Sequence, residues 1–318
     1  MILRIALASA VVFAHFPLIT GSARTFSLMS STLAVQAFFV ISGWVVSASF
    51  ARSATLAGFW LRRAARLYPL YLFVIATQAV LALLIARPSS GFASELLRYL
   101  TVNGAFMNFL QPALFGLLAD APVKAFNPSL WTLKLEVIFY ILTPLLVTFV
   151  RSQRALGTAA LFAGSLVLYH LSYWHSEALA RQFPGQFRFF AAGIVCWQLS
   201  ERFQVKSRAW IAVSSLIAFY VANRTVDLPM LGALQPISVA VFVFGAAYVL
   251  PEPKRLPDVS YGIYVWHGPL LQFGLLLGLS FNLWIACAAV VLLAALGWYG
   301  VEAPARSEEH TSELQSQR

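Results

Sequence analysis

Met1–Pro17 reads MILRIALASAVVFAHFP, an apolar run with arginine at position 4 and histidine at position 15. At about 100° per residue, the eleven steps between them return both side chains to one face of a helix. At about 1.5 Å per residue they lie about 16 Å apart, near half the hydrocarbon thickness of a bilayer. With Arg4 at one membrane surface, His15 falls near the midplane on the same stripe. An ionisable group at that depth is costly and points to function, although a histidine hydrogen-bonded within a helix bundle satisfies the same pattern.

The rest of the composition agrees with a membrane setting. Of 318 residues, 60% are hydrophobic and 11% charged. A water-soluble chain carries about a quarter charged residues. The formal charge of +10 falls mostly in short connections between apolar runs, which is the pattern of membrane orientation and not of a nucleic-acid surface. Cys196 and Cys287 sit in apolar runs and offer neither a disulfide framework nor metal-ligand spacing. No cleavable signal peptide is expected, because the first run lacks a small-residue cleavage site. From Arg306 the chain turns abruptly polar, and RSEEHTSELQS (306–316) resembles a translated sequencing adapter. Residues 1–305 are therefore expected to form the functional domain and 306–318 a non-native tail.

Apolar runs of about 20 residues fall at 2–20, 32–50, 68–86, 130–150, 155–173, 186–202, 209–224, 229–250, 259–279 and 281–301. The expected fold is all-α, a polytopic integral membrane bundle of about ten transmembrane helices. Polar residues interrupt 96–118, which reads as an interfacial or re-entrant part of a long loop. An N-terminus on the cytoplasmic side puts Arg52, Arg62, Arg63, Arg66, Arg151, Arg154, Arg202, Lys206, Arg208, Lys254 and Arg255 inside. Arg24, Arg87, Arg98, Lys124, Arg181 and Arg224 then lie opposite.

Several short stretches carry chemistry. Ser42-Gly43 in FFVISGW (38–44) lets a helix or a ligand approach the backbone closely, or serves ordinary small-residue packing. In FWLRRAARLYP (59–69), Arg63 and Arg66 share a helix face. They suit either attraction to anionic lipid or bidentate phosphate binding. Glu136 lies in the first turns of a helix entering from outside and needs a partner or a task; Lys134 is on a different face. Tyr261, Tyr264 and His267 recur at three-residue spacing, with His267 about 12 Å into the membrane. His15, His267 and Glu136 are thus expected to meet near the midplane, above a cytoplasmic arginine cluster.

Together these pieces resemble the acyltransferase-3 family of membrane O-acyltransferases, which modify bacterial surface glycans. The matching pieces, in family order, are Arg4 with His15, FFVISGW at 38–44, FWLRRAARLYPLY at 59–71, PSLWTLKLEVIFY at 128–140, QFRFFAAGI at 186–194, SYGIYVWHGPL at 260–270 and VEAP at 301–304. The resemblance implies a bacterial inner-membrane enzyme with acyl-CoA, usually acetyl-CoA, as co-substrate and no permanently bound cofactor or metal. Its acceptor is a hydroxyl of a glycan or glycolipid. It implies His15 as the catalytic histidine with Arg4 as its motif partner, and Glu136 and His267 beside them. Arg63 and Arg66, with Arg62, are expected at the CoA phosphates, and Ser42, Gly43 and Tyr264 match other motif positions. The chain departs from the family at Ala34-Val35-Gln36, where many members have Gly-Val-Asp.

On this reading His15 removes the proton of the acceptor hydroxyl, which attacks the thioester carbonyl. Glu136 or His267 orients it. A route through an acyl-histidine is the other expectation. A proton-coupled secondary transporter also uses intramembrane His, Glu and Arg; the absence of an inverted repeat weighs against it. Donor consumption separates the two.

Overall fold

The computed structural model describes residues 1–23, 28–87, 91–202, 208–226, 228, 232–251, 253, 256–280 and 282–305. Lys206, Lys254, Arg255 and Arg24 of the orientation argument, and the tail from Arg306, lie outside the described residues.

The described chain is helical, with no strand among the described residues. The helices are α1 (Ile2–Thr20), α2 (Ser31–Ala51), α3 (Leu56–Ala86), α4 (Phe92–Gly104), α5 (Trp131–His175), α6 (Glu177–Ala180), α7 (Phe183–Arg202), α8 (Arg208–Thr225), α9 (Leu234–Val249), α10 (Ser260–Leu276) and α11 (Leu283–Gly297). A π-helical turn, Trp298–Glu302, extends α11. Every apolar run found in the sequence lies largely within one of these helices. Two of them, 130–150 and 155–173, are fused into α5 across a kink where Arg154 adopts φ 53°. By length and apolar composition α1, α2, α3, α5 and Leu283–Ala305 are each able to cross a membrane unaided. The others are shorter or carry more charge, so their apolar faces depend on neighbours.

Local signals set the ends. Ser30 Oγ accepts from Leu33 N–H to start α2, and Thr55 Oγ1 accepts from Gly58 N–H to start α3. α1 ends at Gly21, left-handed at φ 69°, whose N–H returns to the Pro17 carbonyl. α3 begins twelve residues before its apolar run, because the basic turn around Arg62, Arg63 and Arg66 continues the same helix. Trp174, Trp210, Trp284 and Tyr299 are exposed near helix ends, as aromatic residues at a membrane interface are.

The main apolar core draws on α1, α2, α3, α5, α7, α9 and α10. α2 packs against α7 through Gly43 and Gly193. A Cβ at Gly43 would sit 2.1 Å from the Phe190 carbonyl oxygen, and one at Gly193 would sit 2.2 Å from that of Val40. Only glycine permits this backbone contact.

The segment expected to be interfacial or re-entrant divides in two. Residues 92–104 form α4, with Tyr99 and Asn103 turned inward and Leu97 and Leu100 exposed. The chain from Gln111 to Leu130 then runs as irregular backbone, with Leu114, Leu118 and Phe126 buried, Asp120 and Lys124 exposed, and its last turn, Phe126–Leu130, turned into the protein. Glu95 and Asn103 of α4 bond its first residues, and α10 bonds its last. Gln272 Nε2 donates to the Val123 and Ala125 carbonyls at 2.8 and 2.9 Å, and Asn127 Nδ2 donates to the Val265 carbonyl at 2.7 Å. Non-helical backbone survives at membrane depth only when protein groups satisfy it in this way. Gly268 makes the contact possible, since a Cβ there would meet Asn127 Oδ1 at 2.9 Å and Pro128 Cδ at 3.0 Å. In consequence α5 starts partway along α10, not at the outer end of the bundle.

Candidate active site

Two polar centres lie along α10, one where it meets α1 and one beneath it. The upper one is a histidine pair. His15 Nδ1 is 2.9 Å from His267 Nε2, and the rings are 5.1 Å apart between centroids. His267 is fully buried, while His15 is partly exposed. His267 Nδ1 lies 3.2 Å from the Ile263 carbonyl. A carbonyl only accepts, so His267 carries its proton on Nδ1 and, as a neutral imidazole, presents a lone pair at Nε2. His15 Nδ1 therefore donates across the 2.9 Å contact, which leaves the lone pair of His15 on Nε2. Ser129 Oγ is 3.1 Å from His267 Nε2 and 3.4 Å from His15 Nδ1. With the lone pair of His267 Nε2 already taken, it can share the His15 Nδ1–H as a second acceptor, which leaves this assignment unchanged.

The lower centre is a cavity between α2, α3, α5 and α10, with Arg4, Arg63, Arg66, Glu136 and Tyr140 on its wall. Arg4 Nη1 pairs with Asp258 Oδ2 at 2.6 Å, and Arg66 Nη2 is 4.0 Å from the same oxygen. Arg63 Nη2 donates to Ser49 Oγ at 3.1 Å, and its guanidinium lies 5.8 Å from the Tyr140 ring centre. Arg66 feels Asp258, Glu136 and the buried Glu302 of the VEAP motif. Arg4, Arg63, Arg66 and Glu136 thus line the cavity, while Asp258, which pairs with Arg4, and Glu302 are off its wall.

Asp258 precedes α10 and lies outside the membrane-spanning segments. Burial works to raise its carboxyl. Arg4, the Ser260 hydroxyl and Arg66 outweigh that and hold it below the usual carboxylate value.

Between the two centres stands Tyr264. Its hydroxyl is 2.7 Å from Thr132 Oγ1 and 3.1 Å from the Ser129 carbonyl. Its ring makes edge contacts with Phe38 at 5.9 Å and His267 at 6.2 Å. Tyr264, Thr132 and Phe38 line the cavity, and the two histidines do not. These three residues partition the cavity from the imidazole pair.

The structure brings some expected residues together and separates others. His15 and His267 meet, and Arg4, Arg63 and Arg66 converge on the cavity. Ser42 lines the cavity, with its buried hydroxyl unpartnered. Gly43 is on the opposite side of α2, against α7. Arg62 donates to Ser53 at the turn before α3 and is not on the cavity wall. Glu136 does not join the histidines. Its carboxylate accepts from the Tyr140 hydroxyl in the arginine cavity. The reason is the buried loop: Ser129 sits beside the imidazoles just before α5 begins, so a residue seven positions later lies about 10 Å nearer Arg4.

Sequence reasoning missed Asp258, Ser129, Thr132 and Tyr140. Pro257-Asp258-Val259-Ser260 carries a helix-start signal that identifies Asp258 as a turn residue but not as a partner of Arg4. Tyr140 is four residues from Glu136, a spacing that places them on one face.

Arg188, a charge inside the apolar run 186–202, is buried and held by three acceptors. It donates to the Gly185 carbonyl at 3.2 Å, the Gly232 carbonyl at 2.8 Å and Gln235 Oε1 at 3.0 Å. Gln235 Nε2 in turn donates to Gln36 Oε1 at 2.9 Å. Gln36, the departure from the family's acidic pattern, thus ends a neutral chain of amides reaching Arg188.

Residues 2–301 match the acyltransferase-3 family, described as an acyltransferase domain. Nodulation protein 10 of Rhizobium leguminosarum bv. viciae is 28% identical over 317 residues, covering 88% of this chain and 83% of that protein. The O-acetyl transferase of Shigella phage Sf6 is 26% identical over 288 residues, covering 85% and 83%. Acyltransferase MdmB of Streptomyces mycarofaciens is 27% identical over 172 residues, covering 52% and 42%. No solved structure gives a significant match. With the family spanning nearly its whole length and apolar helices forming its body, the chain belongs to the acyltransferase-3 family and is a membrane O-acyltransferase.

Proposed function

We propose that this enzyme moves an acyl group, acetyl in the first instance, from cytoplasmic acyl-CoA to a hydroxyl of a glycan or glycolipid, with His15 as general base. The observation that carries this reading is the imidazole pair. Proton bookkeeping from the Ile263 carbonyl through His267 leaves His15 Nε2 as the free lone pair on the more exposed of the two rings. The donor's phosphates dock at Arg63 and Arg66, and its acyl end passes the Tyr264–Phe38 partition. His15 Nε2 takes the acceptor's proton as the acceptor oxygen bonds to the thioester carbonyl carbon. The C–S bond then breaks, and the CoA sulfur leaves with the proton returned by His15. His267 keeps His15 in the useful tautomer throughout.

The basic ends of α3 and α7 and the kink at Arg154 support an N-terminus on the cytoplasmic side of a bacterial inner membrane. In that orientation the arginine cavity opens toward the cytosol, where acyl-CoA is found. The printed name of the Sf6 relative supports acetyl as the first group to test.

The test incubates membranes holding the enzyme with labelled acetyl-CoA and a bacterial glycolipid extract, beside His15→Ala at matched expression. Label moving into the extract only with His15 present supports the reading and identifies the acceptor. Equal transfer by both variants removes His15 as the base. Label trapped on the enzyme without acceptor selects the acyl-histidine route over direct transfer.

A further inference from the structure

We infer that Asp258 is a positioning residue: through Arg4 it sets the register of α1 on α10, and thereby the alignment of His15 with His267. The inference rests on the reading of His15 as the base.

The two helices run parallel, since Arg4 meets Asp258 at one end and His15 meets His267 farther along both. They are joined by two polar rungs, 2.6 Å at Arg4–Asp258 and 2.9 Å at His15–His267. On α1 the rungs are about 16 Å apart. On α10 the helical steps from Ser260 to His267 rise about 10 Å, and the Asp258–Val259 turn and long Arg4 side chain span the remaining ~6 Å. The Arg4–His15 spacing read from the sequence is therefore the distance between two fixed points on a neighbouring helix.

The surface between the rungs is apolar. Ala8 and Val12 cluster with Ile263, and Ile5 and Val259 flank them. Such contacts change little when one helix slides against another, whereas an ion pair is lost, which is why a polar pair within an apolar seam sets register.

Asp258 is built for this task. Oδ1 accepts from the Ser260 N–H at 3.3 Å and from its hydroxyl at 2.5 Å, tying the carboxylate to the first turn of α10. Oδ2 is left for Arg4, with Arg66 at 4.0 Å. The carboxylate therefore moves with the helix that carries His267. Arg4 moves with the helix that carries His15.

A direct contact of Arg4 with the donor makes a different prediction, so the kcat–KM split decides. Steady-state acetyl-CoA kinetics are measured on the full chain in nanodiscs for Arg4→Gln, Asp258→Ala, Asp258→Asn and Arg4→Gln/Asp258→Ala, with His15→Ala alongside. Register control predicts that Arg4→Gln and Asp258→Ala each lower kcat about 100-fold, as small displacements of a catalytic group do. The donor KM stays within about threefold. The double variant is no slower than either single one, because both remove the same rung. Asp258→Asn keeps a hydrogen-bond acceptor for Arg4 and falls between wild type and Asp258→Ala. A raised donor KM at unchanged kcat in Arg4→Gln overturns the inference, as does unchanged kcat in Asp258→Ala or an additive double variant. If Asp258→Ala fails to reach the membrane, Asp258→Asn and Arg4→Gln decide by the same split. An active His15→Ala enzyme marks failure of the His15 reading itself, a result separate from any Asp258 outcome.

Discussion

A neutral imidazole becomes a directed base only when something else fixes which nitrogen holds the proton. Here that is the Ile263 carbonyl, acting through His267. Replacing His267 with alanine removes the acceptor for His15 Nδ1 and frees the ring to turn. We expect kcat to fall about 10- to 100-fold with His15 still present, measured with labelled acetyl-CoA. His15→Ala removes the base and costs about 10²- to 10⁴-fold in the same assay. Asp258 gives a pH prediction. Its carboxyl titrates lower in the folded protein than in the unfolded chain. Its contribution to stability is therefore present above the unfolded carboxylate value of about 3.9 and is lost as pH falls through the lower folded value. Thermal unfolding in detergent should show wild type more stable than Asp258→Asn at neutral pH, with the gap closing on acidification. A gap that persists to the lowest pH argues against the charge.

Elements were legible where apolar runs were continuous. Each of the runs became helix because a polar backbone in hydrocarbon has no other local way to bond. The loop before α5 was not legible, because its hydrogen bonds are made to residues such as Val265 and Gln272 more than a hundred positions away. That loop moved Glu136 from the histidines to the arginines. Gly268 is the point at which to test it. A Gly268→Val side chain enters the 2.9 Å space before Asn127 Oδ1 and should push the Ser129 segment off the imidazole pair. Activity should fall by more than the loss of folded protein explains, read as kcat per correctly folded enzyme. At the α2–α7 crossing the expected effect is on stability alone. Gly43→Leu overpacks a backbone contact and should cost about 1–3 kcal/mol or more in thermal unfolding.

At the scale of the whole molecule, the arginines on the inner cavity tie topology to chemistry. Arginines that would orient the chain in the membrane also line the space where a donor's phosphates would dock. With Cys196 and Cys287 replaced, a single cysteine at Arg52 should react with an impermeant maleimide only from the cytoplasmic side. One at Ser176 should react only from the opposite side. The reverse labelling would invert the proposed orientation.

The sequence by itself determined the membrane setting, the all-helical class, the family and the shared stripe of Arg4 and His15. These follow from composition and from the period of one helix, which are local quantities. Only the tertiary structure decided which groups meet. It paired His15 with His267, placed Ser129 against both, gave Arg4 to Asp258 and Glu136 to Tyr140, and turned Gly43 toward α7. Helical period fixes a side chain's direction around its own axis, but not the depth at which the next helix begins. Here that depth was set by a buried, non-helical loop whose bonding partners lie far along the chain.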